Sequence, residues 1–413
     1  MQKSSVTVLA EPGDSTEVSP EPVVSGPRSV LLKREMPGLD VLRGIAILSV
    51  FCFHGLRWYL PLGAPMVPRV RQLGQFVSFG WLGVNLFFVL SGFLITGVLL
   101  DTRTQKNYWS SFYIRRFLRI VPLYLVVLII LKFTWNNCTW AYLVLCLFYL
   151  ANFAVPLRVP GQGYGPLWSL AVEEQFYLVW PFLVGRLRLR ALAGLCVAGI
   201  VLSPVLRAIS VANSLVLGSP YITTWLICDN LLYGALLAIF LRTAAATEQR
   251  VAQLTVLLGG LGAVLLGAGF SFQLLSRNSP GGAAFQPIPF LFIFSSMLLL
   301  SLRFGDHPAV YRALAPIRFF GYISYGFYLF HNLGFFAFDS ITEHLPVRLP
   351  TATLGFVLFR FVVVGACLTL FCYLSRRYFE GYFLRFKERL APYSSRASWA
   401  AKKMEVPLEP TCG

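Results

Sequence analysis

The segment LDVLRGIAILSVFCFHGLRWYL, residues 39–60, is an apolar run long enough to cross a lipid bilayer as one helix, which takes about 20 residues. Similar runs recur along the chain, which is 56% hydrophobic and only 13% charged. Soluble domains carry roughly 25% charged residues. The sequence therefore predicts an all-α integral membrane protein. Its candidate apolar segments are residues 39–60, 79–100, 113–133, 139–155, 167–185, 191–211, 222–241, 253–273, 287–302, 319–338 and 352–374.

Basic residues lie in short clusters between these segments. The net charge of +17 would also suit a nucleic-acid-binding protein, but such proteins concentrate Lys and Arg on one polar face. Clusters that flank apolar segments are typical of membrane topology, because Lys and Arg favour cytoplasmic loops. We expect membrane lipid and no nucleic acid among the partners. The cysteines show no metal-ligand spacing, so no metal site is predicted.

The distribution of Lys and Arg also predicts how many segments cross the membrane. If residues 139–155 enter the membrane and return on the same side, 26 of the 35 Lys and Arg are cytoplasmic. If that segment crosses, every later loop inverts and the number falls to 14. The sequence thus predicts about ten transmembrane helices plus one re-entrant or interfacial segment, with both termini cytoplasmic. A crossing of a thin bilayer region by residues 139–155 stays open.

The ends of the chain are more polar than its centre. Low hydrophobicity and turn-forming stretches such as SPEP at residues 19–22 predict a disordered cytoplasmic tail over residues 1–36. The membrane domain is expected over residues 37–376. Residues 377–413 are expected to form a cytoplasmic C-terminal tail.

Titratable side chains fall at one depth of this predicted bundle. Arg43 and His54 are eleven residues apart, which places them about 20° apart around their helix and about 16 Å apart along it. His54 lies six residues from the outer end of its segment, and Glu173 lies six residues below the same surface, so both are about 9 Å deep. Asp229 and His331 fall near that level. Such groups are costly inside a membrane and indicate either function or helix pairing.

A histidine beside a carboxylate can take a proton from a hydroxyl, with the carboxylate fixing the tautomer. We therefore predict His54 and Glu173 as a catalytic pair. His331 is a secondary candidate, because a lone histidine in a membrane can equally bridge two helices. Asp229 is another, and it could serve only as the partner of a basic residue. Glu174 is a third: it lies 100° from Glu173 around the helix, and which of the two faces His54 is open.

Polar residues at the predicted cytoplasmic end could serve a phosphate-bearing ligand. The arginines there are Arg43, Arg115, Arg116 and Arg119. Arginine binds phosphate in a bidentate manner, but arginines at the end of a span also simply anchor it, and from the residues alone anchoring is the simpler interpretation. Ser91 and Gly92 could kink their helix to admit a narrow ligand, although packing explains the pair as well.

Five motifs occur in order along the chain: LDVLRGIA at 39–46, LSGFL at 90–94, RRFLRIVP at 115–122, LWSLAVEEQFY at 167–177 and ISYGFYLFH at 323–331. In these motifs the sequence resembles the acyltransferase-3 family of bacterial membrane acyltransferases, and the resemblance runs almost end to end. The Arg-x10-His spacing of that family falls on Arg43 and His54. The resemblance identifies residues 37–376 as an acyltransferase-3 transmembrane domain and implies a location in the cytoplasmic (inner) membrane.

The resemblance also implies the reaction. An acyl-CoA, expected to be acetyl-CoA, would be the donor, and its pantetheine arm would reach His54, oriented by Glu173. The expected donor-binding residues are Arg43, Arg115, Arg116, Arg119 and Ser91. The acceptor would be a hydroxyl of a carbohydrate-containing molecule such as a surface or exported glycan. Direct transfer and a covalent acyl-His54 intermediate are both open.

Two further expectations concern partners and alternatives. The extracytoplasmic hydrolase-like domain of some relatives is not expected in this sequence, so a periplasmic handover of the acyl group would need a separate partner. A transporter or flippase for a glycan or lipid-linked sugar is the alternative function, because polar groups at mid-depth also line transport paths. A purely structural scaffold would leave the layer of titratable side chains unexplained.

Overall fold

Helix α1, Pro37–Leu56, packs against four other long helices in a computed structural model of the protein. The structure describes residues 31–33, 35–57, 74, 77–135, 138–160, 163–213, 220–276, 279–346 and 353–392. Its other principal helices are α2 (Leu82–Thr102), α3 (Tyr108–Thr134), α4 (Trp140–Leu147), α5 (Pro166–Arg186), α6 (Leu189–Asn213), α7 (Asp229–Phe240), α8 (Glu248–Ser271), α9 (Pro287–Phe304), α10 (Ala315–Glu343) and α11 (Leu354–Leu374). No strand occurs in these described ranges, so the prediction of an all-α protein is confirmed for them.

Seven helical stretches of the described chain are long and apolar enough to cross a membrane: Pro37–Leu56, Leu82–Thr102, Tyr108–Thr134, Leu189–Asn213, Glu248–Ser271, Pro280–Phe304 and Leu354–Leu390. Helices α5 and α10 have 21 and 29 residues, enough length to cross at about 1.5 Å per residue, but they carry more polar side chains. Helix α7 has 12 residues and follows the short helix Thr224–Ile227. A multi-pass membrane protein is therefore established, and the number of ten crossings stays a prediction.

The segment predicted to turn back contains one short α-helix and a single 3₁₀ turn, Ala151–Phe153. Helix α4 has eight residues, about 12 Å of length, against an apolar bilayer core of about 30 Å. The Thr139 side chain caps its first turn by accepting a hydrogen bond from the Tyr142 N–H at 3.2 Å. Behind it the chain turns at Tyr149, which has a positive φ of 54°. A helix of this length is too short to cross the membrane, and a re-entrant or interfacial segment would have a short helix of this kind.

Two helix crossings depend on glycine. A Cβ at Gly44 of α1 would clash with the carbonyl of Ile317, and one at Gly321 of α10 would clash with the carbonyl of Asp40. Helices α2 and α7 meet in the same way, through Gly92 and its counterpart Gly234. Small residues let helix backbones approach closely in membrane bundles. Of the two interpretations of Gly92, packing is therefore the one that the structure supports.

The outward surface is apolar where the bilayer would cover it. Phe133 of α3, Val256 of α8 and Phe272 just after α8 are 83%, 76% and 73% exposed. In a soluble protein such side chains would cost free energy, whereas lipid is as apolar as they are. The exposed apolar surface thus agrees with a membrane-embedded bundle.

The predicted tails are only partly described. Residues 1–30 lie outside the described ranges. After α11 the chain continues through a π-helical turn, Ser375–Glu380, into two short helices, Gly381–Arg385 and Lys387–Leu390, that pack against α3. The beginning of the predicted C-terminal tail is therefore helical and docked on the bundle.

Candidate functional site

Two cavities lie next to each other inside the bundle. The space between their walls, including the part open to solvent, is about 770 Å³ in one and about 960 Å³ in the other. Val84, Phe88 and Tyr328 line both. We call the first the arginine cavity, because three arginines line it, and the second the histidine cavity, because His54 lines it.

Arg43, Arg116 and Arg119 line the arginine cavity, at the end of the bundle where α1 begins. Arg43 forms an ion pair with Asp40 at 2.8 Å. Arg116 lies over the ring of Tyr177, 5.0 Å from its centroid. Neither Arg116 nor Arg119 makes a hydrogen bond or an ion pair with any residue in the described ranges. Cationic groups without a bonded anion inside a cavity indicate that an anionic ligand belongs there.

Glu173 and Ser91 also line the arginine cavity and are bonded to each other. The Ser91 hydroxyl donates to Glu173 Oε1 at 2.7 Å, and the Tyr177 hydroxyl donates to Glu173 Oε2 at 3.2 Å. Tyr177 lies one helical turn after Glu173 on α5, so the two share a face. The carboxylate is within electrostatic range of Arg116 and Arg119 without touching either.

His54 has a different partner from the one predicted. Its Nδ1 lies 3.2 Å from Nε2 of His331 and 3.0 Å from the carbonyl oxygen of Val50. The His331 ring is fully buried, and its Nδ1 lies 2.7 Å from the carbonyl oxygen of Tyr328. The structure does not join the predicted pair by a hydrogen bond, because the Glu173 carboxylate is bonded to Ser91 and Tyr177 and His54 faces His331 and Val50.

These contacts set the tautomers of both neutral rings. A ring nitrogen that faces a carbonyl must donate, so Nδ1 of His331 carries its proton and its Nε2 accepts. Nδ1 of His54 then donates, toward His331 and Val50. Within the described ranges Nε2 of His54 has no hydrogen-bond partner, which leaves its lone pair free. His331 and the Val50 carbonyl oxygen together thus do for His54 what a carboxylate was predicted to do: they favour one tautomer.

Asp229, the third candidate at this depth, is a structural partner. It forms an ion pair with Arg207 at 2.7 Å, and neither side chain is exposed to solvent. Arg207 also donates to the carbonyl oxygens of Ala283, at 3.0 Å, and of Leu226. Asp229 in turn accepts from the Asn230 backbone N–H at 3.0 Å. Both charges are fully hydrogen-bonded, so of the two roles open for Asp229 the pairing role fits.

Two further predicted residues lie outside both cavities. Glu174 lines neither, and its buried Oε1 has no hydrogen-bond partner in the described part of the chain. Arg115 turns away from the arginine cavity and forms an ion pair with Glu388 at 3.2 Å, from the segment after α11. Successive residues on a helix point 100° apart, which separates Glu174 from Glu173 and Arg115 from Arg116.

The structure adds residues that the sequence analysis did not single out. Tyr328 reaches both cavities, and its hydroxyl is hydrogen-bonded to Ser169. Its position three residues before His331 in ISYGFYLFH was the available signal, since i and i+3 share a helix face. Asn85 and Trp168 line the histidine cavity, and Asn85 donates to the Asn230 side chain at 2.8 Å. Within the described ranges no group of three or more His, Cys, Asp and Glu is placed to hold a metal ion.

A helical membrane bundle with an arginine-lined cavity beside a histidine with one free nitrogen has the make-up of a membrane-bound group-transfer enzyme. The family model described as an acyltransferase domain matches residues 36–376, so the chain belongs to the acyltransferase-3 family. The predicted resemblance and the prediction of an acyltransferase enzyme are thereby confirmed, and the alternative of a transporter or flippase is set aside.

Curated relatives carry names of the same kind. The chain is 29% identical over 337 residues to O-acetyltransferase OatA of Staphylococcus aureus, covering 72% of this chain and 50% of that protein. It is 26% identical over 341 residues to peptidoglycan O-acetyltransferase OatA of Listeria monocytogenes, covering 72% and 49%. The chain thus spans about half the length of these relatives. No solved structure matches it.

The buried Arg207–Asp229 pair allows a test of a structural role. Removing one member of a buried ion pair leaves an unpaired charge and costs about 3–5 kcal/mol, so Asp229→Ala should lower the unfolding temperature in detergent strongly. The double variant Arg207→Met, Asp229→Leu should recover most of the loss, because no charge stays unpaired. A folded Asp229→Ala protein with an unchanged unfolding temperature would contradict this.

Proposed function

We propose that this enzyme transfers an acyl group, expected to be acetyl, from acyl-CoA to a hydroxyl of a carbohydrate-containing acceptor such as a surface or exported glycan. The observation that carries the proposal is the pairing of the two cavities. One presents unpaired arginines, the other a histidine with a free Nε2, and they share Phe88 and Tyr328 as wall residues. The names of the relatives support acetyl as the group and a glycan as the acceptor.

The arginine cavity fits the donor. CoA carries a diphosphate, and Arg116 and Arg119 are cations that lack a bonded anion in the described chain. Arginine forms two parallel hydrogen bonds to phosphate, which gives it both affinity and orientation. The eleven residues from Arg43 to His54 correspond to about 16 Å along α1, a distance that a narrow pantetheine arm can cover.

His54 is the proposed general base. Its Nε2 takes the proton of the acceptor hydroxyl while the hydroxyl oxygen attacks the thioester carbonyl carbon. The C–S bond then breaks, the CoA thiolate takes the proton from His54, and the acceptor leaves as an O-acyl ester. His331 acts as a positioning residue: together with the Val50 carbonyl oxygen it holds His54 in the tautomer that has its lone pair on Nε2, and it can stabilise the transient positive charge by accepting from Nδ1.

We propose a different role for Glu173, at the donor site rather than beside His54. It holds Ser91 and Tyr177 in place at the wall of the arginine cavity, and it is near two of the arginines. We propose that this group shapes the passage for the pantetheine arm. Arg115 is not proposed as a donor ligand, because its guanidinium is bonded to the C-terminal segment.

The histidine cavity suits a sugar. Trp81, Trp168 and Phe53 line it together with the amide side chain of Asn85. Aromatic faces pack against the apolar faces of sugar rings, while amides exchange hydrogen bonds with hydroxyls. We propose that the acceptor enters here and brings one hydroxyl to Nε2 of His54.

We also propose the finer topology: ten crossings of the cytoplasmic membrane with both termini inside. The excess of Lys and Arg in alternate loops supports it, as does the short length of α4. The donor would then reach the arginine cavity from the cytoplasm. A handover of the acyl group outside the membrane would involve a separate partner.

Loss of the base should abolish transfer. We expect His54→Ala to reduce transfer or hydrolysis of radiolabelled acetyl-CoA by about 10²- to 10⁴-fold, which is what general-base catalysis contributes. His331→Ala should lose less, and His331→Gln less again, because a glutamine oxygen can still accept from His54. Purified, detergent-solubilised variants with unchanged unfolding temperatures are compared, with His344→Ala, an exposed histidine at the end of α10, as the control. A folded His54→Ala protein with wild-type activity would contradict the proposal.

The covalent route predicts a different intermediate. If Nε2 of His54 attacks the thioester itself, the protein should become labelled when mixed with radiolabelled acetyl-CoA without acceptor and quenched rapidly. Direct transfer predicts no protein-bound label beyond that of His54→Ala. We expect no such label, in agreement with direct transfer. A stoichiometric label that is absent in His54→Ala would instead support the two-step route.

The topology can be read by cysteine labelling. In a cysteine-free background, Leu157→Cys and Glu343→Cys should react with a membrane-impermeant maleimide in intact cells, because both are predicted outside. Lys106→Cys and Arg250→Cys should react only after lysis. All four positions are exposed. If residues 139–155 crossed, Arg250→Cys would be labelled in intact cells and Leu157→Cys and Glu343→Cys would not, while Lys106→Cys would be unchanged.

A further inference from the structure

The segment that follows α11 brings a lysine to the arginines of the donor cavity. The short helix Lys387–Leu390 packs on the first turns of α3. Arg115 holds it there, donating from Nε to the carbonyl oxygen of Ala391 at 2.8 Å and pairing with Glu388 at 3.2 Å. Asn107 donates to the carbonyl oxygen of Pro392 at 2.6 Å. The position of the helix is thus fixed by three separate contacts.

The ammonium of Lys387 lies close to a group of cations. It is half-buried and within electrostatic range of Arg116, Arg119 and Arg376. It forms no ion pair with any residue of the described ranges. The neighbouring Arg376 does have a carboxylate, Glu380, at 3.4 Å. A partly buried lysine among arginines, with no carboxylate of its own, repels its surroundings unless an anion joins the group.

The order of these residues along α3 predicts which anion. The helix with Lys387 rests on residues 107–115 of α3, whereas Arg116 and Arg119 face the cavity and Ile120 lines it further along. If the proposed donor is correct, its thioester lies toward His54 and its diphosphate at Arg116 and Arg119. CoA carries one further anionic group, the 3′-phosphate of its ribose, which lies farther from the thioester than the diphosphate does.

We propose that Lys387 binds the 3′-phosphate of the CoA donor, as a phosphate-binding residue outside the arginine cavity. This inference rests on the proposed function. The segment lies beyond residues 36–376, the part that the family model matches. Arg115 is the residue that holds this segment in place.

The test compares CoA with dephospho-CoA, which lacks only the 3′-phosphate. Equilibrium binding of each is measured by calorimetry on the purified full-length chain in detergent. Wild type should bind CoA more tightly than dephospho-CoA by about tenfold, as expected for one charge-assisted hydrogen bond. Lys387→Ala should lose about that factor for CoA and nothing for dephospho-CoA. Lys387→Arg should keep the preference, and so should Arg389→Ala, an exposed cation on the same short helix.

Two results would overturn this inference and leave the proposed function intact. Wild type that binds both ligands equally tightly would show that the 3′-phosphate has no partner. An equal loss for both ligands in Lys387→Ala, with an unchanged unfolding temperature, would show that the lysine acts on the site as a whole. Wild type that binds neither ligand would instead remove the proposed donor, and the inference with it.

Discussion

The close crossing of α1 and α10 is the constraint on which the site depends. Gly44 and Gly321 each meet a backbone carbonyl of the other helix, so the two helices touch without side chains between them. His54 and His331 each lie ten residues beyond their glycine, about 15 Å along helices that run in the same direction. The histidines therefore arrive at the same depth and at hydrogen-bond distance. A wider crossing would separate the rings and remove one of the two acceptors, His331 Nε2 and the Val50 carbonyl oxygen, that face Nδ1 of His54.

Charged groups in this bundle fall into two kinds, and the difference separates structure from function. Arg207 and Asp229 are paired, fully buried and hydrogen-bonded, which is what a membrane interior demands of a charged group, although Arg207 also borders the histidine cavity. Arg119 faces other cations, among them Arg43 and Arg116, and has no bonded anion in the described chain. Folding alone gives no reason to gather such charges. Glu173 and Glu380 lie within electrostatic range of Arg119, and on the proposed function the diphosphate of the donor balances the remaining charge.

Helical geometry explains which features the sequence could predict. Spacing along a helix gives depth and angle, so the shared layer of His54, Glu173, Asp229 and His331 followed from counting residues. Depth does not say which helices are neighbours. Glu173 lies at the expected level, yet α5 turns it toward Ser91 of α2, while α10 brings His331 to His54. The partner of a buried side chain is a property of tertiary packing, which no single segment encodes.

The same limit explains the arginines. Arg115 and Arg116 are adjacent in sequence and were equal candidates, but they point 100° apart. The segment after α11 packs beside Arg115 and accepts its hydrogen bonds through Ala391 and Glu388. Arg116, which points in another direction, lines the cavity. That segment was predicted as a tail, because its short helices are neither long nor strongly apolar. Which of these two arginines lines the cavity thus depends on a contact with residues about 270 positions later in the chain, and only the fold shows that contact.

The two adjacent cavities suggest why the reaction suits a membrane protein. The diphosphate and 3′-phosphate of CoA give the donor several negative charges, and moving them through a bilayer would cost far more than any binding site could recover. On the proposed function only the neutral pantetheine arm passes between the helices, and the charged end stays with the arginines. The wall side chains Val84, Phe88 and Tyr328 are mostly apolar, so they suit a narrow neutral arm and oppose a phosphate. A neutral His54, the form that the proposed general base requires, adds no permanent charge at the point where the arm must arrive. The acyl group can then meet a hydroxyl from the other cavity while the charged part of its carrier stays where it bound.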